Sequence, residues 1–235
     1  QHFVQTASID ASESQNWFAY KGFYPVGTNT ARFTGSYNGR GNVIDNLKIN
    51  RPDDDYLALF GRASGAAFDS ISITNINVVG SPDASGHYLG SLVAYGSNVS
   101  ISNCSSTGEI TGCTGGGIAG NVSGNSILEN CYANCVLNIS EGGGLLGKAA
   151  NFSVIKNSNT EGSVNAINYA GGLIGRFTAD SVINCYSTAS VICEYDYAGG
   201  LIGHFENGIY VGNCYSNNVV QGGKNYVGGL IGYLD

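Results

Sequence analysis

The chain has 235 residues, of which only 11% are charged, with a formal net charge of −7 and 36 glycines. Without a basic patch it is not built to bind nucleic acid, and without an apolar run of 18 residues no helix inserts into a membrane. The glycine content argues against long helices, and a continuous chain of this length forms one domain with a sizeable core.

Residues 1–45 read as short strands and turns: HFVQTASIDAS, then Asn16 and the only tryptophan, Trp17, then the segment starting PVGTNTARFTGSYNG. An aromatic-rich, off-period opening is what a capping segment over exposed strand edges looks like. From residue 46 to 235 one unit returns. It is clearest as AGGLIGRF at 170–177, AGGLIGHF at 198–205 and VGGLIGYL at 227–234, with weaker copies at 56–63, 88–96, 115–122 and 142–149. A fixed period of this size is the mark of a stacked repeat.

A second landmark sets the register. Asn46, Asn75, Asn103, Asn130, Asn157, Asn184 and Asn213 are spaced by 29, 28, 27, 27, 27 and 29 residues. Two before each stands Ile44, Ile73, Ile101, Leu128, Ile155, Val182 or Val211, and just after each comes Leu47, Ile76, Cys104, Cys131, Ser158, Cys185 or Cys214. Apolar positions three apart break the strand alternation at the Asn. A bend explains the break, because Asn tolerates bridge and left-handed backbone, and stacked Asn amides can pass hydrogen bonds from coil to coil. The predicted fold is all-β: a single-domain parallel β-helix, or β-solenoid, of about seven coils of 27–29 residues. The crossover preference makes it right-handed.

Cys104, Cys131, Cys185 and Cys214 share the inward column and read as small buried hydrophobes, all seven cysteines as free thiols. No C-x-x-C pair or His cluster suggests a metal, and Asp53, Asp54 and Asp55 read as a solvated turn. No cofactor is expected. Of the N-x-S/T sequons at Asn98, Asn103, Asn121, Asn138 and Asn151, the one at Asn103 should be inaccessible within its ladder.

The GGLIG strands, the NCYSTASV turn at 184–191 and FTGSYNGRGNVIDNLKI at 33–49 followed by YLALFG resemble the GLUG-repeat family of bacterial and archaeal surface proteins and adhesins. The likeness runs along nearly the whole chain and implies an extracellular, β-helical binding or spacer module. The same repeat occurs beside the catalytic part of IgA-cleaving metallopeptidases, whose H-E-x-x-H motif is missing here, since the histidines are His2, His87 and His204.

Two columns are candidate binding surfaces. Tyr88, Thr114, Glu141, Tyr169, Tyr197 and Tyr226 stand two before the glycine pair, and Tyr132, Tyr186 and Tyr215 two after the ladder Asn. Such tyrosines either stack on sugar rings or stack on one another to stiffen the sheet. The position after each GGLIG carries Arg62, Tyr95, Asn121, Lys148, Arg176, His204 and Tyr233, a column expected to face water and to offer Arg176 and His204 to an anionic ligand. The reading is a non-catalytic, secreted or cell-surface adhesin-like module that holds a glycan or protein partner. Two rivals stand beside it. One is a structural subunit that self-associates end to end through an uncapped C-terminal end at Gly232–Asp235. The other is a β-helix lyase or glycoside hydrolase, which would need convergent carboxylates.

Overall fold

The alternation breaks where it does because the seven repeat asparagines are left-handed, with φ between 51° and 61°. The predicted column is corrected at its start: Ile44 pairs with Ile73, and Ile73 with Ser106 and not with Ile101, so Asn46 and Asn75 stand at a separate bend of another sheet. Ser70 (φ 54°) holds the corner position before Asn103. Each of the other five asparagines separates a three-residue strand from the next strand of the coil. Ser100–Ser102, Ile127–Glu129, Val154–Lys156 and Ser181–Ile183 precede it. Ser105–Gly116, Tyr132–Gly143 and Asn159–Gly171 follow it. The third strand of the coil holds the second half of the GGLIG segment: Ala119–Ser123, Leu146–Ala150 and Ile174–Thr178. In this computed structural model, which describes residues 1–83, 86–222 and 224–235, these strands build three sheets of eight, fifteen and seven members. Pairing between successive coils is parallel, as in Ile101 to Leu128 to Ile155 to Val182. The molecule is an all-parallel β-solenoid of about seven turns, as the repeat predicts.

The glycine pair is required by closeness at the second corner. A Cβ on Gly171 would overlap the Ile174 carbonyl, and one on Gly172 would overlap the Gly200 carbonyl of the next coil. The third corner turns on another left-handed residue: Asn98, Gly124, Asn151 or Asn207.

The core is a set of columns. Ile101, Leu128, Ile155 and Val182 lie beside Ile110, Leu137, Val164 and Val191, and Ile118, Leu145, Leu173 and Leu201 close the third side, all buried. Each such side chain stabilises the fold by about 1.5–3 kcal/mol through the area it removes from water. The seven cysteines are free; six are buried and Cys214 is half-buried. Burial pushes the Cys131 thiol up to about 12 and that of Cys135 up to about 11.

The opening segment joins the same sheets. His2–Val4 pairs in parallel with Ser36–Asn38, and Ile9–Asp10 with Val43–Asp45. Residues between them swing out and return: Val26 bridges Phe60, Phe33 bridges Ala63, and Gly22 makes an antiparallel bridge to Ile49. Phe33, Phe60 and Phe68 form one cluster, with centroids 4.7 Å apart for Phe33–Phe60 and for Phe60–Phe68. Buried Arg51 clamps the excursion by donating to the Phe23 carbonyl at 3.0 Å and to Asp54 at 3.3 Å.

The asparagine ladder is only partly continuous, and it is exposed. Asn130 donates to Asn103 (3.2 Å), Asn184 to Asn157 (3.0 Å) and Asn213 to Asn184 (3.1 Å). Elsewhere carboxylates interrupt it, Asn103 donating to Asp69 and Asn157 to Glu129, while Asn46 and Asn75, expected as its first members, lie on the separate bend and donate to Asp45. The expectation that Asn103 is inaccessible is corrected. A left-handed corner throws its side chain outward, so Asn103 hydrogen-bonds its neighbours while facing solvent.

Candidate functional site

Strand register lines up the first predicted column as Tyr56, Tyr88, Thr114, Glu141, Tyr169 and Tyr197, with Tyr226 stacked below. Tyr56 went unnoticed in the sequence because its copy, YLALFG, lacks the glycine pair. Tyr169 and Tyr197 stack at 4.8 Å with 1° between their planes, and Tyr197 and Tyr226 at 5.1 Å with 3°. Tyr186 and Tyr215 do the same at 4.9 Å and 2°. Within each run the ring faces cover one another, so a sugar ring has no inner face to lie on. What these tyrosines still offer outward are ring edges and hydroxyls.

The second column does not simply face water. Asn121 and His204 are only 5% and 7% exposed, and the others are half-buried. The physical cause is the neighbouring tyrosine column, which leans across it. His204 meets Tyr197 edge to face at 4.8 Å, and Tyr233 stacks on His204 at 5.0 Å. The Arg62 guanidinium sits over Tyr95 at 4.3 Å, and that of Arg176 over Tyr169 at 5.7 Å while it pairs with Glu206 at 3.1 Å. The Nε atoms of both arginines are buried without a hydrogen-bond partner, and Arg62 also donates to Asn29 and, at 3.1 Å, to the Tyr56 hydroxyl. Burial, then Arg176, pulls His204 below its ordinary value. Burial raises Glu141 against the pull of Arg176 and Lys148. The two predicted columns are thus one interlocked wall, with a break in the tyrosines at Thr114 and Glu141.

Around the corner, the broad sheet carries a groove that the sequence reading did not single out. It has a volume of about 520 Å³ and runs past Asn138, Asn165, Ile192 and Gln221, which occupy consecutive rungs. Beside them Gly112, Ile139, Ala166, Cys193 and Gly222 occupy the next, core-facing positions of the same rungs. Pro82 bounds the groove, held where its carbonyl accepts from the Ser140 hydroxyl at 2.6 Å. Asn138 donates to Glu109 (3.2 Å) and Asn165 donates to Asn138 (3.0 Å). A spacing argument could have found this amide row, because Asn138 and Asn165 share the 27-residue offset of the ladder.

Asp53 to Asp55 are drawn into ordinary contacts, Asp54 with Arg51 and Asp55 with His87 at 3.2 Å. Among the described residues no group of three His, Cys, Asp or Glu side chains is arranged to hold a metal ion, and no helix is long and apolar enough to cross a membrane.

Comparison with known proteins agrees with this architecture. The chain is 36% identical over 130 residues to halomucin of Haloquadratum walsbyi, a match covering 52% of this chain and 1% of that protein. It is 36% identical over 83 residues to a protein of Evansella cellulosilytica named as a candidate Gly-rich membrane protein, covering 34% and 10% respectively. The chain therefore spans a small fraction of either relative. Among solved structures, that of a candidate immunoglobulin A1 protease from Bacteroides ovatus superimposes with a TM-score of 0.66 at 19% identity, over 96% of this chain and 77% of that one. At that identity the likeness is one of fold. The GLUG motif itself is present at residues 167–192, which span the third tyrosine rung, one GGLIG strand and one ladder asparagine.

Proposed function

We propose that this chain is a non-catalytic module of a longer surface protein, lying outside the cell, that holds glycans along its side. The observation that carries the reading is the set of polar and aromatic columns repeated at strand spacing on a rigid three-sheet stack. Such a surface suits a ligand that is itself a repeating chain. The names of the two relatives, a halomucin and a membrane protein, support a place at the cell surface. The carboxylates favour binding over catalysis. Asp45 and Asp69 are each saturated by Asn, Ser or Thr donors, and the glutamates stand at different offsets along the coils. Tyr88, Tyr169, Tyr197, Tyr226, Arg176 and His204 act as a rim through ring edges and polar tips.

The test is a glycan array read beside sedimentation at several protein concentrations. Selective retention of a glycan class by a monodisperse chain is the expected result. An array without retained glycans, together with a size that grows with concentration, would overturn the reading in favour of a stacking subunit.

A further inference from the structure

We propose that the groove on the broad sheet is a binding site for a linear, uncharged polysaccharide. The inference rests on the glycan reading above and gives it a place. A concave site of about 520 Å³ is of the size that holds small ligands, and mixed apolar and polar lining is usual for such sites. Its lining positions repeat with the coils, so one outward side chain follows another every ~4.8 Å, comparable to the advance of one sugar unit along an extended chain.

The chemistry of the lining selects the occupant. Asn165 donates to Asn138, but the next rung carries Ile192, so nothing on that rung donates to the Asn165 carbonyl. The amide row therefore ends on an acceptor that faces the groove, and Gln221 stands beyond it on the following rung. Amides offer donor and acceptor together, which suits hydroxyl groups. Ile192, 45% exposed, and Ile167 supply aliphatic surface for the C–H face of a sugar ring. The one charged side chain lining the groove among the described residues is Glu194, so a uronate or sialylated chain meets repulsion and no cation. An extended peptide lacks its usual anchor, because peptides of that kind add to a free sheet edge. Asn159–Gly171, at the middle of the groove, is paired on both sides, and only Val220–Gly222 at its last rung is paired on one side.

The intact chain is titrated calorimetrically with neutral, linear β-linked oligosaccharides of increasing length and with matched oligouronates. The expected result is binding of the neutral series only, strengthening with length up to about one unit per rung from Asn138 to Gln221. Asn165→Ala should weaken it about five- to tenfold through the lost hydrogen bonds. Ile192→Lys, on an exposed position that leaves the fold intact by circular dichroism, should lose neutral binding and gain the oligouronates, a gain that misfolding cannot mimic. Neutral binding that survives both substitutions but disappears in Tyr197→Ala would overturn the groove and leave the glycan reading standing. Failure of the unaltered chain to bind either series, with a peptide library retained instead, would overturn both.

Discussion

Residues 17–33 and the coils beyond residue 100 close an apolar core by opposite means. In the excursion every contact is unique: Phe33 on Phe60 and Phe68, Arg51 on the Phe23 carbonyl, single bridges at Val26 and Phe33. In the coils each side chain meets its counterpart above and below, so Leu137 lies between Ile110 and Val164. A unique contact has no substitute when it is lost. A column can redistribute the loss, because the rungs on either side offer similar groups. Stability in one region therefore depends on particular residues, and in the other on membership of a column.

The largest test of that contrast is Phe60→Ala, at the end of its column where only the excursion covers it, against Leu137→Ala inside a column, both at buried positions. The first should cost about 3–5 kcal/mol and the second should fall toward the lower end of about 2–5 kcal/mol, as neighbouring rungs close on the gap. Chemical denaturation measures both, and equal losses would erase the distinction. Next comes the ladder corner, where Asn130 has φ 54° and donates to Asn103. Asn130→Ala should cost about 2 kcal/mol, since it loses a hydrogen bond and holds an alanine in left-handed backbone. Asn130→Gly keeps the backbone at ease and should cost about half as much. If alanine and glycine behave alike, the corner does not depend on its positive φ.

Acidification sharpens the comparison further, because Asp69 ties the two regions together. It accepts from Asn38 at 3.1 Å on the opening side and from Ser102 and Asn103 at 2.9 and 2.8 Å on the coil side. The Asn103 hydrogen bond, followed by those of the serines and Asn38, holds Asp69 below its ordinary 3.8. Its contribution is complete above 3.8 and is lost as the pH falls through the lower folded value. His204, deep in the coils, is lowered from 6.5. Its neutral form is the one the fold favours, so stability is complete above 6.5 and declines as the pH drops below it. Melting temperatures should accordingly fall in two windows. Asp69→Asn should remove the lower one and His204→Phe the upper, and a single unchanged transition in both variants would contradict the assignment. The smallest effect belongs to Tyr197→Phe, which preserves the 4.8 Å stack and should shift stability by less than about 0.5 kcal/mol.

The solenoid was legible in the sequence because its determinants are local and periodic. From Asn103 onward the Asn corner, the aliphatic positions before it and the glycine pair each recur at one offset, and each has a steric or burial reason. The similar spacing of Asn46 and Asn75 misled, because it belongs to a different bend, Phe68 and not Ile73 being the partner of Ile101. The direction of side chains at corners was not legible. Asn103 is exposed and His204 is covered by Tyr197 and Tyr233, and that depends on how a left-handed corner or a neighbouring tyrosine tilts, which spacing along one chain does not encode. The interlocking of the two columns was hidden for the same reason. It joins positions seven residues apart, such as Tyr169 with Arg176, across a corner whose angle only the fold determines. The groove escaped notice because the residues along it, Asn138, Asn165, Ile192 and Gln221, share no single chemical type.

Parallel rung pairing has one further consequence, for how such a chain can change length. A one-residue insertion within a strand turns every following side chain to the opposite face unless a bulge takes it up. One does so between Ile139 and Glu141, where the facing strand Asn159–Gly171 carries one residue more and the pairing then resumes. Adding or deleting a whole coil leaves every column in place and alters only the height, by about 4.8 Å. Such bulges and the corners together absorb the spread from 27 to 29 residues per turn. Length in this architecture is therefore a countable quantity, gained or shed in units by recombination between like coding segments, and a surface molecule built this way can alter its reach without redesigning its fold.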